Sequence, residues 1–401
     1  MAANENFLAP SLAADIAKAV YEIQEESNVT DAFDLGGFKA LNTAYDTGGA
    51  QVVSALSGLP VFGSSVGTST EARARFAKPR WRPESGFGLV MQSSGADHLV
   101  VATRGTATFA DWLSNANVGL ARGPQGLLVH QGFHKIYEQF RRDLITTTAA
   151  YAPRVVHCVG HSLGGALASL AAVEIKGRIG CDVKLYTFGA PRVGLSPFCR
   201  TLTDDLLAGN IKRVWNPADP VPMVPLWPFA HGPMPGDGLM LPNTGLSLNP
   251  WKHKMSAYGT LVTKLDWEQV AASGHRDNVT GGVEQALAIA GDAVTLPGTG
   301  LWALSKALSL VLKLAAHIVQ AGLTTAFTSL DMIARLLERA ADLATQLGYY
   351  LQQLIGLVLR FLGRQAMSGV ELTRAFLRYV LGLLFDAVAM AARRALHRPE
   401  L

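Results

Sequence analysis

A serine framed by glycines, followed along the chain by aspartates and then histidines, could carry nucleophilic acyl chemistry. The serine is Ser162, in Gly160-His161-Ser162-Leu163-Gly164. A serine hydroxyl is a poor nucleophile near neutral pH, so it needs a base, and the base needs a partner that holds its tautomer. The G-x-S-x-G spacing alone is weak evidence in a chain with 40 glycines. Residue frequencies lead one to expect about 0.2 chance matches, and a second match, Gly63-Ser64-Ser65-Val66-Gly67, is present.

Context separates the two. A nucleophile elbow requires a buried strand, a sharp turn at the serine and a helix that starts at once. Ser162 has the apolar run Val155–Val159 in front and the small-residue run Gly165-Ala-Leu-Ala-Ser-Leu-Ala-Ala behind. Ser65 precedes a polar, basic run and reads as a Gly/Ser loop. In an elbow fold the acid follows the serine and the histidine follows the acid. Asp219, in Asn216-Pro-Ala-Asp219-Pro-Val-Pro222, stands on a proline-fixed turn just past the strand pattern Ile211–Trp215. An aspartate before proline is also a common turn former. Asp204 and Asp205 fall in a helical, solvated stretch and fit the role less well. Of the histidines that follow, His231 lies inside a Pro-rich loop. Spacing favours His253, where that loop gives way to a helix, over His275, and leaves both open.

The elements that would position these groups alternate. Leu99–Thr103, Arg154–Val159, Val183–Phe188 and Ile211–Trp215 read as strands, with helical patterns over Phe133–Thr148 and Gly164–Ile175. That alternation predicts an α/β fold with a mostly parallel central sheet. Residues 217–250 are rich in Pro and Gly and read as a long irregular region. The stretch Gly291–Gly300 reads as a linker. Beyond it apolar residues recur in steps of three and four, as in Leu301-Leu304-Leu308-Val311, Leu330-Ile333-Leu337-Ala340 continuing to Leu351-Leu354-Val358, and Leu377-Leu381-Leu384-Val388. These seams predict at least three long helices. The expected division is an α/β-hydrolase-like domain over 1–292 and an all-helical, amphipathic domain over 298–401. The longest uncharged runs of the tail, 314–330 and 343–359, fall short of the roughly 18 to 20 apolar residues of a membrane span, so the tail is expected to be soluble or interfacial.

Composition narrows the classes. With 49% hydrophobic and 16% charged residues the chain can bury a sizeable core and is not of disordered composition. The net charge of +4 is too small to suggest nucleic acid. Up to residue 289 there are 24 Lys/Arg and 24 Asp/Glu, and from 290 onward 11 and 7, so the tail carries the whole excess. Such a balance suits an anionic lipid surface. Cys158, Cys181 and Cys199 make neither a disulfide framework nor a zinc site. The first residues, Met-Ala-Ala-Asn-Glu-Asn-Phe, lack the regions of a signal peptide. The expectation is a cytoplasmic chain, or one exported by a signal-independent route.

Taken together, several motifs in order give the chain a specific likeness over roughly residues 85–265. Arg104-Gly-Thr106 with Asp111-Trp112, Val129-His130-Gln-Gly132-Phe133 and Gly160-His-Ser-Leu-Gly-Gly-Ala166 come first. Tyr186-Thr-Phe-Gly189-x-Pro191-Arg-Val-Gly194, Asp219-Pro-Val-Pro222 and His253 with Tyr258 follow. In these the sequence resembles the class 3 lipase family, which includes fungal triacylglycerol lipases and many bacterial and plant phospholipases. The resemblance implies an α/β-hydrolase fold and a triad of Ser162, Asp219 and His253. It also implies an oxyanion hole from Thr106 and the backbone N–H of Leu163. His130, despite its motif, reads as a structural hydrogen-bonding residue. Residues 107–117 lie where fungal members carry a lid but are only mildly amphipathic here. The family pattern does not account for residues 1–60 or for the tail.

The function these readings imply is hydrolysis of a carboxylic ester in a lipid, of lipase or phospholipase A type, through an acyl-enzyme. No metal and no cofactor is expected. Met223, Leu226, Trp227 and Phe229 are candidates for the acyl pocket. The basic Leu-rich tail suggests peripheral docking on a bilayer, or else dimerisation or a cover for the site. Its combination with a signal-free hydrolase also resembles antibacterial lipase effectors, which would imply an immunity or chaperone partner. Two other readings remain, a soluble esterase or thioesterase on short acyl substrates, and a membrane-disrupting helical protein with a secondary hydrolase domain.

Overall fold

The computed structural model describes residues 7–22, 61–62, 88–92, 98–105, 119–225, 228–236, 238–242, 249–274, 282–295, 300–319, 330–365 and 371–396. The expected features at Gly63–Gly67, Thr106, residues 107–117, Leu226, Trp227 and His275 lie outside the described residues.

Among the described residues seven strands form the central sheet in chain order: β1 (Val61–Phe62), β2 (Gly88–Gln92), β3 (His98–Thr103), β4 (Val155–His161), β5 (Asp182–Phe188), β6 (Ile211–Trp215) and β7 (Leu239–Met240). The first two pairings are antiparallel and the four from β3 to β7 are parallel. β4, at the centre, is buried at all seven positions, as an apolar strand covered on both faces must be. Because side chains alternate across a strand, Leu99, Val101, Val156, Cys158 and Leu185 enter one core. Val100, Ala102, Val159, Tyr186 and Phe188 enter the core on the opposite face. That second core is closed by helices α1 (Pro10–Ala19) and α3 (Met255–Val262). The first is closed by α2 (Leu163–Ile179), which follows β4 directly.

Two helical patterns divide where sequence gave no warning. The stretch Phe133–Thr148 is two helices, Gln131–Tyr137 and Arg141–Ala150, separated at Phe140 (φ −125°). In the tail, the seam from Leu330 to Val358 runs across a break at Ala344, whose backbone is extended (φ −144°, ψ 105°). Ala344 N–H closes the end of α6 (Leu330–Leu343) on the carbonyl of Ala340, and its own carbonyl accepts from Leu347 and Gly348 at the start of α7 (Thr345–Phe361). No glycine or proline marks the position, so apolar spacing passed through it unchanged. The other tail helices are α5 (Gly300–Ile318) and α8 (Arg374–Leu396). α5 and α8 are long and apolar enough, by length and composition, to cross a membrane, although much of α5 is buried within the molecule. Counting uncharged runs missed them because one or two charges, such as Lys306 and Lys313 in α5, interrupt the run without lowering the average hydropathy enough.

Helix α4 (Gly282–Thr295) packs on α5 and α7. One continuous core contains residues of β3, β4 and α2 together with residues of α5 to α8. The Arg192 guanidinium, from the loop after β5, donates to the carbonyls of Met223 (2.6 Å) and Pro225 (3.0 Å) and to Ser305 Oγ of α5 (2.7 Å). α5 and α8 pack on the turn Val221–Met223, and α8 also on the turn Pro250–His253. The tail therefore rests on the two turns beside Asp219 and His253.

Candidate active site

The carboxyl ends of the parallel strands are where an open α/β sheet presents its ligand crevice, and β4 and β6 deliver Ser162 and Asp219 there. Ser162 is the residue between β4 and α2, with φ +58° and ψ −131°. A non-glycine residue in that region is strained and persists only where its surroundings fix it. Here its N–H donates to the carbonyl of Phe188 on β5 (2.9 Å), and its carbonyl accepts from Gly165 (2.9 Å). The flanking glycines allow the turn to close: a Cβ at Gly160 would collide with the backbone of Gly164, and one at Gly164 with the carbonyl of Thr103. Thr103 Oγ1 donates to the Gly164 carbonyl (2.6 Å) and holds the turn against β3.

Asp219 and His253 come from turns. The Asp219 carboxylate is fully buried and accepts three hydrogen bonds: the Val221 N–H on Oδ1 (2.9 Å), and His253 Nδ1–H (2.8 Å) and Tyr258 O–H (2.7 Å) on Oδ2. Since a carboxylate only accepts, Nδ1 of His253 carries the proton and Nε2 is free to accept. It does so from Ser162 Oγ at 2.8 Å. Tyr258, on α3, is buried, and burial followed by the Asp219 charge pushes its hydroxyl well above the ordinary phenol range. It stays protonated and holds the carboxylate. Its oxygen accepts from the N–H of Asn216 (3.2 Å), and Asn216 Oδ1 accepts from the N–H of Ala218 (2.9 Å), which shapes the aspartate turn.

The other expected residues are placed as follows. Leu163 is the first residue of α2, so its N–H has no acceptor within the helix, and negative charge is favoured at a helix N-terminus. Met223 is buried in the main core, and Phe229 in a small cluster with Leu195. The His231 ring donates to the carbonyl of Pro222 (2.7 Å), which commits it to the loop. His130 Nδ1 accepts from the N–H groups of Gly132 (3.0 Å) and Phe133 (3.4 Å) and caps the helix Gln131–Tyr137. Burial holds that imidazole down at about 3, so it is a neutral cap. Cys158 and Cys199 are free and buried, and burial pushes the Cys199 thiol up to about 12. Among the described residues no group of His, Cys, Asp and Glu could hold a metal ion.

Two groups against this constellation escaped the sequence reading. His161 sits between the elbow and His253, and Tyr21, from the turn after α1, reaches His161. His161 was visible as the variable residue of the G-x-S-x-G motif. Nothing in the local sequence marked Tyr21.

Residues 100–229 match the family model for "Lipase (class 3)". Secreted mono- and diacylglycerol lipase 1 of Fusarium solani is 33% identical over 43% of this chain and 48% of its own length. The chloroplastic phospholipase A(1) DAD1 of Arabidopsis thaliana is 29% identical over 42% of this chain and 46% of its own. The chain thus spans about half the length of the curated relatives it matches. Among solved structures, the triacylglyceride lipase of Rhizomucor miehei aligns over 58% of this chain and 79% of that one, at 19% identity and a TM-score of 0.39.

Proposed function

We propose, for a chain whose residues 100–229 match the class 3 lipase family model, hydrolysis of a lipid carboxylic ester by a serine, histidine and aspartate acting in series. The observation that carries this reading is the continuous hydrogen-bonded chain from Ser162 Oγ through His253 to Asp219, each link 2.8 Å, starting from a strained elbow. His253 Nε2 takes the Ser162 proton as Oγ attacks the ester carbonyl. The imidazolium is stabilised by Asp219, whose second partner, Tyr258, keeps the carboxylate in place. The oxyanion takes the Leu163 N–H and the Thr106 donor, each contributing a few kcal/mol of transition-state stabilisation. Collapse returns the proton to the leaving alcohol and leaves the acyl group on Ser162. Water then releases the fatty acid by the same roles in reverse.

The named relatives act on acylglycerols and on phospholipids, which supports an acyl ester of glycerol as the substrate class. Exposed Tyr349, Tyr379 and Met390 on the tail and the tail's basic excess support peripheral association with a bilayer. The test is product analysis by mass spectrometry on mixed phospholipid and diacylglycerol vesicles, with Ser162→Ala as control. Free fatty acid is expected from the wild type only. Equal release by both proteins, or turnover of short soluble esters with none of vesicle lipid, would overturn the lipid-hydrolase reading.

A further inference from the structure

We propose that Tyr21 and His161 are positioning residues for the hydrolytic chemistry, forming a tether that holds the main chain of His253 at the distance its ring needs from Ser162. The proposal rests on the hydrolase reading above and extends it to the N-terminal segment, which lies outside the family match.

Asp219 fixes how the His253 ring is turned, but a ring bond does not fix where the backbone beneath it sits. His253 ends a single short turn, Pro250–His253, and is followed by Lys254 with a non-helical backbone. Its carbonyl accepts the Nε2–H of His161 at 2.6 Å. A carbonyl cannot donate, so Nε2 of His161 carries the proton and Nδ1 of the neutral ring is an acceptor. The group that meets it is the Tyr21 hydroxyl, at 2.8 Å. The tautomer of His161 is thereby fixed from both sides, with the donor pointed at His253. Because His161 is the residue before Ser162, the tether joins the histidine turn to the elbow itself.

The ring must remain neutral. It lies 4.7 Å, centroid to centroid, from the ring of His253, and a proton there would place a second positive charge beside the imidazolium formed during catalysis. Burial, then the neighbouring His253, hold His161 well below the ordinary histidine range. Tyr21 adds to this by occupying the Nδ1 lone pair. The same hydroxyl lies against Gly105 beside the elbow: a Cβ on Gly105 would come within 2.6 Å of it and 3.4 Å of Ser162 Cβ.

The segment that brings Tyr21 is fastened along its length. Leu8 N–H donates to the Tyr186 hydroxyl (3.0 Å), and Trp267 Nε1–H donates to the Leu8 carbonyl (2.7 Å). Lys184 and Lys212 cover the ring of Phe7 at 4.5 and 4.8 Å. Leu12, Ala13, Ile16, Ala17 and Val20 are buried against the sheet and α3.

The test uses the full chain with His161→Leu, His161→Gln and Tyr21→Phe, following steady-state hydrolysis and the rate at which an activated phosphonate ester captures Ser162. Displacement of a catalytic group by about 1 Å can cost on the order of 100-fold, so His161→Leu should lower kcat and the phosphonylation rate by roughly 30- to 100-fold with little change in KM. Glutamine places a donor near the position of Nε2 and should restore the rate to within about fivefold of wild type. Tyr21→Phe, which removes one oxygen, should lower kcat about fivefold, and the far-downfield proton signal of His253 Nδ1–H should broaden or shift. A folded His161→Leu with wild-type phosphonylation overturns the tether, as does a glutamine variant no better than leucine. Should His161→Leu fail to fold, an unchanged rate and proton signal in Tyr21→Phe overturn it instead. A wild type that neither hydrolyses esters nor reacts with the phosphonate overturns the hydrolase reading, and the tether with it.

Discussion

The strand, elbow and helix that carry Ser162 differ in kind from the two turns that carry Asp219 and His253. The elbow is built from backbone: a buried strand, a positive φ, glycines that admit main-chain contact, and an interstrand bond from Ser162 N–H to Phe188. The turns lie in or beside a stretch of short 3₁₀ turns and two-residue strands and are fixed by side chains, namely Asn216, Tyr258, Arg192 and His161. A backbone-built element is stiff because sterics leave it one conformation. A side-chain-built one is held by a set of individually modest bonds, so its members can be removed one at a time with graded loss.

That difference can be broken or sharpened by substitution. Ser162→Ala should have the largest effect on chemistry, lowering kcat by about 10⁵-fold or more while leaving the melting temperature near that of wild type, as steady-state kinetics and calorimetry would register. Asp219→Asn keeps the shape but favours the wrong histidine tautomer, and kcat should fall by roughly 10³- to 10⁴-fold. Gly164→Ala should act on the fold rather than the chemistry, costing on the order of 4 kcal/mol, because the added carbon at the start of α2 meets the backbone carbonyl of Thr103 at the end of β3; denaturant unfolding would measure it. Tyr258→Phe removes one of the two hydrogen bonds that the described residues give Asp219 Oδ2, and loss of a hydrogen bond to a charged group should cost about 1.5 to 3 kcal/mol of stability with a smaller loss of kcat. Equal, all-or-none losses at Gly164 and Tyr258 would erase the distinction between the two kinds of scaffold.

Acidification probes the sheet beneath both. Burial holds the imidazoles of His130 and His157 at about 3, against an ordinary value of 6.5. The unfolded chain therefore binds more protons than the folded one between these values, and the stability present above pH 6.5 should be lost progressively as the pH falls towards 3. Urea midpoints taken across that window should decline, and a flat profile would show that these histidines are not desolvated as placed.

Much of the sheet was legible. The four strand patterns fall within a few residues of β3 to β6 because an apolar run of that length, flanked by turn residues, has few other ways to bury itself. The elbow was legible because strand, turn and helix adjoin in sequence. The breaks at Phe140 and Ala344 were not, since no glycine or proline marks either position and the residues there are compatible with a helix. The apolar seams of the tail were visible, but what they pack against was not. α5 and α8 rest on the turns beside Asp219 and His253, and an isolated amphipathic pattern does not name its partner.

By itself, then, the sequence determined the alternating α/β order, the strand-to-helix setting of Ser162 and a short set of acids and histidines in chain order. These are properties of contiguous residues, and local sterics and periodicity act on contiguous residues. Tertiary structure decided which side chains meet across long separations: Ser162 with a histidine 91 residues on, that histidine with an aspartate 34 residues before it, and Tyr21 with His161 across 140. Such meetings depend on how the sheet twists and which helices cover it, a balance of burial over the whole chain that no single segment encodes.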